Sequence, residues 1–167
     1  MKNQQQNQKG FTLFVAMIVM GTLLLIAAGV VSLAVRQSLI SASGRESQYA
    51  FYAADTGIEC AFYWDVQNPA GFSAFSTSTP TSPITCNGKS ITVFPVVDGT
   101  TRAGTTTINF DFTPDDLYCV IVTISKRYDP FPTTPISVLK TIIESKGYNT
   151  CVSTNPRRVE RAVRATY

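Results

Sequence analysis

From Phe11 to Val35 the chain runs for 25 residues without a single charge. As a helix rising 1.5 Å per residue this stretch spans roughly 37 Å, more than the ~30 Å hydrocarbon core of a bilayer. Thr12, Thr22 and Ser32 interrupt its apolar character. A helix tolerates them because their hydroxyls bond back to its own carbonyls. Gly21 and Gly29 each lower helix propensity by about 1 kcal/mol relative to Ala and allow another helix to approach closely. Ahead of the stretch lies Met1-Lys2-Asn3-Gln4-Gln5-Gln6-Asn7-Gln8-Lys9-Gly10, polar and basic. Positive flanks stay in the cytoplasm, so a single-pass segment with a cytoplasmic N-terminus is expected. Arg36 and Arg45 beyond the stretch weaken that bias. A secretory signal fits less well, because its apolar core should run about 7–15 residues. Ser41-Ala42-Ser43 would serve as its cleavage site.

Past Arg36 the sequence becomes amphipathic without a turn signal. Leu39, Ala50, Ala54, Ile58, Ala61 and Phe62 recur at helical spacing, and Gln37, Arg45, Glu46, Gln48, Asp55 and Glu59 fill polar positions. One helix from about Thr12 to about Asp65 is expected, stopping before Asn68-Pro69. Two helices broken near Gly44 are the other reading. Gly44 and Gly57 are the weak points.

The composition then changes. Residues 73–83, from Ser73 to Pro83, are rich in hydroxyls and read as an exposed loop. Ile84-Thr85-Cys86 and Lys89 to Val93 flank Asn87-Gly88, which predicts a hairpin with a type I′ turn. Ile108, Phe110 and Phe112 alternate with polar residues. Tyr118 to Ser125 is β-branched and nearly continuous, as in a central strand. Lys126 to Pro135 holds three prolines and reads as a loop. Ile136 to Ser145 is a further strand, closed by Lys146-Gly147-Tyr148-Asn149. In the last stretch Val159, Val163, Ala165 and Tyr167 share one face, and Arg158, Glu160 and Arg164 the other. Antiparallel strands must cover an apolar face, and the amphipathic half of the helix is available to do so. The fold class expected is α+β: a long N-terminal helix, transmembrane and then amphipathic, packed on a C-terminal antiparallel β-sheet head. The expected divisions are residues 1–10 as a polar leader, 11–35 as membrane-spanning helix, 36–67 as the amphipathic half, and 68–167 as the head.

Charge and composition exclude several functions. The net charge is +3, and without Lys2 and Lys9 the remaining 12 basic residues face 11 acidic ones. No nucleic-acid footprint is indicated. Arg157, Arg158, Arg161 and Arg164 read as one solvated strand face. The chain has no histidine, which removes the commonest general base and metal ligand, so no catalytic residue, metal or cofactor is expected. Asp98, Asp111, Asp115 and Asp116 lack calcium-loop spacing and read as loop acids near Pro114. The four cysteines are spaced 26, 33 and 32 residues apart with no close pair, which argues against zinc. An even count in an exported head favours two disulfides. Of three connectivities, Cys60–Cys86 and Cys119–Cys151 are expected. Cys60 lies near the helix end and Cys86 in the first hairpin. Cys119 lies in the central strand and Cys151 just before the last one.

Lys9-Gly10-Phe11-Thr12-Leu13, with its polar leader and the apolar helix behind it, resembles the class III signal of type IV prepilins. Residues 50–61, Ala-Phe-Tyr-Ala-Ala-Asp-Thr-Gly-Ile-Glu-Cys-Ala, are similar to a stretch of minor pilins and of the tip pseudopilins of type II secretion. Ile143-Glu144-Ser145-Lys146-Gly147-Tyr148, followed by Arg157-Arg158, is similar to the last strands of that group. The resemblance covers residues 1–65 well, 66–135 thinly and the end moderately. It implies cleavage between Gly10 and Phe11 by a prepilin peptidase and N-methylation of Phe11. It implies storage in membrane lipid of the inner membrane. An assembly platform there then builds the chain into an extracellular filament with other pilin subunits, packed through their N-terminal helices. Most pilins carry a glutamate at the fifth residue of the mature chain; here that residue is Val15. The family's glutamate neutralises the N-terminal amine of a neighbouring subunit inside the filament. Its loss implies a minor, tip or initiating role. The alternative function is a single-pass anchored extracytoplasmic binding module that never polymerises.

Overall fold

In the computed structural model, residues 8–67, 73–77, 80, 82–98, 103–112, 117–130 and 137–167 are described. The chain forms α1 (Gln8–Phe62), a π-helical turn (Tyr63–Gln67), and strands β1 (Ile84–Cys86), β2 (Lys89–Ile91), β3 (Val96–Val97), β4 (Gly104–Asp111), β5 (Cys119–Pro130), β6 (Ser137–Tyr148) and β7 (Glu160–Thr166). This is the expected α+β architecture. The helix is unbroken at Gly44. Its contacts nevertheless divide the chain into two units there, Met1–Gly44 and Arg45–Tyr167. The leader residues 1–7 lie outside the described residues.

In the second unit β3 to β7 form one antiparallel sheet in sequential order, and β1 pairs with β2 in a separate hairpin. Asn87 and Gly88 hold φ of 50° and 73° in the connecting turn, as the Asn-Gly pair predicts. The pleat sorts the side chains. Thr106, Ile108 and Phe110 of β4, Val120, Val122 and Ile124 of β5, and Thr141, Ile143 and Ser145 of β6 are buried. Their alternates point to the other face. β5 is therefore central by position, third of five strands, but it buries one face.

The buried face is covered by α1 from Ala50 to Ala61. Ala50, Ala53, Ala54, Ile58 and Ala61 are all buried. This small-residue stripe meets Gly147 of β6, where an added Cβ would lie 2.1 Å from the Ala50 carbonyl oxygen and 2.3 Å from the Ala54 nitrogen. At Gly57 an added Cβ would lie 2.4 Å from Ser145 Oγ. These two glycines let the helix and sheet backbones touch. Gly57 is thus a packing requirement and not a flaw in the helix. Ser145 Oγ donates to the Ala54 carbonyl at 2.6 Å, which satisfies a hydroxyl at the centre of the contact.

Three expectations are corrected. Residues 126–130 belong to β5, not to a loop, because they pair with β6 from Thr141 down to Ser137; residues 131–136 lie outside the described residues. Lys146-Gly147-Tyr148 continues β6 and does not close it, since Gly147 serves helix contact and not a turn. The hydroxyl-rich loop is partly interior: Ala74 and Phe75 are in the core, 0% and 2% exposed. Burying that phenyl contributes roughly 1.5–3 kcal/mol toward holding the segment inward.

Candidate functional site

Every residue from Gly10 to Val35 is exposed within the chain, including Phe11 at 71% and Leu25 at 76%. Such a surface is unfavourable in water and suited to lipid or to other helices. The helix is long and apolar enough to cross a membrane, with none of its most apolar window buried. Thr22 Oγ1 donates to the Val19 carbonyl at 2.9 Å, so that hydroxyl presents no unmet donor to an apolar neighbour. Gly10, Gly21 and Gly29 have no side chain or other element within 4 Å, which leaves three places for close approach by a second helix. The Gly10–Phe11 bond lies within α1, whose first residue is Gln8. Val15 is 41% exposed on this surface.

At the other end of α1, Cys60 is joined to Cys86 with their Cα atoms 5.9 Å apart. The bridge ties the helix to the β1–β2 hairpin. Trp64 Nε1 donates to the Thr85 carbonyl at 3.0 Å and reinforces the same junction. The second expected bridge, Cys119–Cys151, is not formed. Cys119 opens β5 opposite Tyr148, and Cys151 lies in the exposed turn after β6. Sequence position brought these two to the same end of the sheet without dictating a bond.

The arginine cluster does not form one solvated face. Arg158 lies 3.7 Å over the Tyr148 ring. Arg161 Nε donates to Ser47 Oγ on α1 at 2.8 Å. Arg164 stands across from Glu144 on the far face of the sheet. The loop before β7 is pinned by Asn149, whose Nδ2 donates to Glu46 at 2.8 Å and to the Arg157 carbonyl at 3.0 Å. Asp111 pairs with Lys89 at 2.9 Å, and Asp115 and Asp116 lie outside the described residues. Among the described residues no three His, Cys, Asp or Glu side chains gather as metal ligands. A cleft of about 230 Å³ opens between α1 and the end of β4, lined by Tyr49, Tyr52, Ala53, Thr56, Phe112 and Tyr118. The Tyr49 and Tyr118 rings stack at 4.9 Å.

A buried polar cluster was missed in the sequence. The π-helical turn carries Asp65 inward, where Lys126 Nζ of β5 lies 2.6 Å from its Oδ1, with side-chain exposures of 2% and 8%. Ser73 Oγ also donates to Oδ1, and Tyr167 Oη donates to Oδ2. Burial raises the Tyr167 phenol well above its ordinary pKa, helped by the bond to Asp65 and by that residue's charge. The sequence did carry a signal. Lys126 falls on the period-two series of Val120, Val122 and Ile124, and Asp65 on the helical series of Ile58 and Ala61. No protein-family model, curated protein or solved structure matches the chain.

Proposed function

We propose that the chain is a minor or tip-type pilin-like subunit of a type IV pilus or a type II secretion-like filament. The observation that carries this reading is the single helix α1. Its first half exposes an unbroken apolar surface, and residues 50–61 of the same helix build the core of a disulfide-tied β unit. A helix built this way suits storage in lipid followed by transfer into a bundle of like helices, since both are apolar surroundings. The head is then displayed outside. The prepilin-like signal at Lys9-Gly10-Phe11 supports processing after Gly10, with N-methylation of Phe11, by a prepilin peptidase at the inner membrane. Partners on this reading are other pilin subunits and an inner-membrane assembly platform. Val15 supports the tip position: without a carboxylate the subunit cannot pair with the buried amine of a subunit above it, although its own Phe11 amine can be paired from below.

Intact-mass and N-terminal analysis of the membrane-extracted protein tests the reading. A mature chain starting at methylated Phe11 is expected. A retained Met1 would favour an anchored binding module that does not assemble, and a start at Gly44 would reveal an ordinary secretory signal.

A further inference from the structure

We propose that Lys126 and Asp65 condense, without any other enzyme, into an amide that covalently ties the end of α1 to β5. The inference is independent of the filament reading.

The two groups are held in contact, Nζ to Oδ1 at 2.6 Å, and are nearly excluded from water. The carboxyl carbon is one bond beyond Oδ1, so it lies no more than about 3.8 Å from Nζ. Intramolecular groups that align for attack from near contact reach effective molarities of ~10⁵–10⁸ M. In water, amide formation from an amine and a carboxylic acid is opposed by the strong hydration of both ions and by the abundance of water as product. Here the first opposition is weakened, because two buried charges carry a desolvation penalty that a neutral amide lacks. The fold already holds the two groups together, so no freedom is lost in bringing them into contact.

The surrounding donors fit the path. A proton passes from the Lys126 ammonium to Asp65 Oδ1 along their contact, leaving a neutral amine and a carboxylic acid. Nζ attacks the carboxyl carbon, and negative charge develops on Oδ2. Tyr167 Oη already donates to that oxygen. Such a donor stabilises a tetrahedral intermediate as an oxyanion-hole donor does. The second surplus proton on nitrogen moves to Oδ1 across the Nζ–Oδ1 contact, while Ser73 Oγ keeps its hydrogen bond to the same oxygen. The C–Oδ1 bond breaks and Oδ1 departs as water. Nitrogen has lost two protons and Oδ1 has gained both, so the step balances without an oxidant or a co-substrate. Oδ2 remains as the amide oxygen, still held by Tyr167. The π-helical turn that follows α1 is what aims Asp65 at this point.

The test is the mass of the full chain, extracted in detergent, reduced and denatured. The link removes about 18 Da from the mass of the mature sequence. A tryptic digest should then contain one branched peptide joining residues 46–89 to residues 103–127, fragmenting at Lys126 and Asp65. Succinimide formation at Asp98-Gly99 would also remove water, but hydroxylamine opens a succinimide and leaves a side-chain amide intact. Lys126→Arg keeps the positive charge and cannot form the link, so its mass should show no deficit while its circular dichroism and its Cys60–Cys86 bridge persist. Tyr167→Phe should slow the appearance of the branched peptide by roughly 10²-fold. A folded wild-type chain, with its disulfide intact and its full sequence mass, would overturn the proposal. So would a water loss that maps elsewhere or survives in Lys126→Arg.

Discussion

Gly147→Ala isolates the contact on which the head's packing depends. The new methyl would sit 2.1 Å from the Ala50 carbonyl oxygen, 2.3 Å from the Ala54 nitrogen and 2.9 Å from the Ala53 carbonyl carbon. All three are backbone atoms of α1, so no side-chain rotation relieves the clash. The helix has to retreat from β6 by roughly 1 Å, and an interior at crystal-like packing density has no slack to absorb that. Retreat would also stretch the Ser145–Ala54 hydrogen bond, now 2.6 Å, and open gaps beside Val120 and Val122, which pack at Gly57 one turn further along. Overpacking costs about 1–3 kcal/mol where side chains can adjust. With a rigid backbone opposed, about 3 kcal/mol is expected. The unit from Arg45 to Tyr167 holds 123 residues. At about 2.1 cal/mol/K of unfolding entropy per residue, that loss lowers the melting temperature by roughly 12 °C. The assay is thermal unfolding of the detergent-solubilised chain followed by near-ultraviolet circular dichroism, which reports aromatic packing in the head. Gly44→Ala is the matched control. It has no neighbour within 4 Å, so it should raise helix stability by up to about 1 kcal/mol. A Gly147→Ala chain melting within about 2 °C of the wild type would refute the packing argument.

Reducing the Cys60–Cys86 bridge, which closes a separation of 26 residues, should cost about 3–4 kcal/mol in the chain-entropy model. Denaturant titrations with and without reductant read this directly, and coincident midpoints would count against it. The Tyr167 phenol has a folded pKa raised above its ordinary value of 10.0. The unfolded chain therefore loses that proton first, so the stability it contributes is complete below pH 10 and declines as pH rises beyond it. Melting of the wild type should fall more steeply above that pH than melting of Tyr167→Phe, and parallel slopes would dismiss the effect. If Val15 sets a tip position, immunogold labelling with an antibody to the head should mark filament ends, and Val15→Glu should move label into the shaft. That change costs up to about 2.5–3.5 kcal/mol in membrane insertion, less near a helix end. Label along the whole unmutated shaft would sink the tip position.

Elements governed by local chemistry are legible in the sequence alone. The charge-free run from Phe11 to Val35 and the helical recurrence of Ala50, Ala54, Ile58 and Ala61 need only hydropathy and period, because a helix satisfies its own backbone. The β1–β2 turn needs only the readiness of Asn87 and Gly88 to adopt positive φ. Strand limits are another matter. Residues 126–130 and 146–148 look like turn sequences, and they are strand because a partner across the sheet supplies their hydrogen bonds. Other residues differ in role from what their type suggests: Gly147 answers the helix backbone, and Phe75 fills space in the core. The cysteines divide along the same line. Four are visible in the sequence, but bonding requires Cα atoms within about 7 Å, a distance that only the packed chain sets. The Asp65–Lys126 contact is the extreme case. Each residue lies on an apolar period that its own segment reveals, yet 61 positions separate them, and their meeting depends on a π turn and on the placement of β5 against α1. Local periodicity tells which side chains turn inward; which of them then face each other is decided by how the helix crosses the sheet.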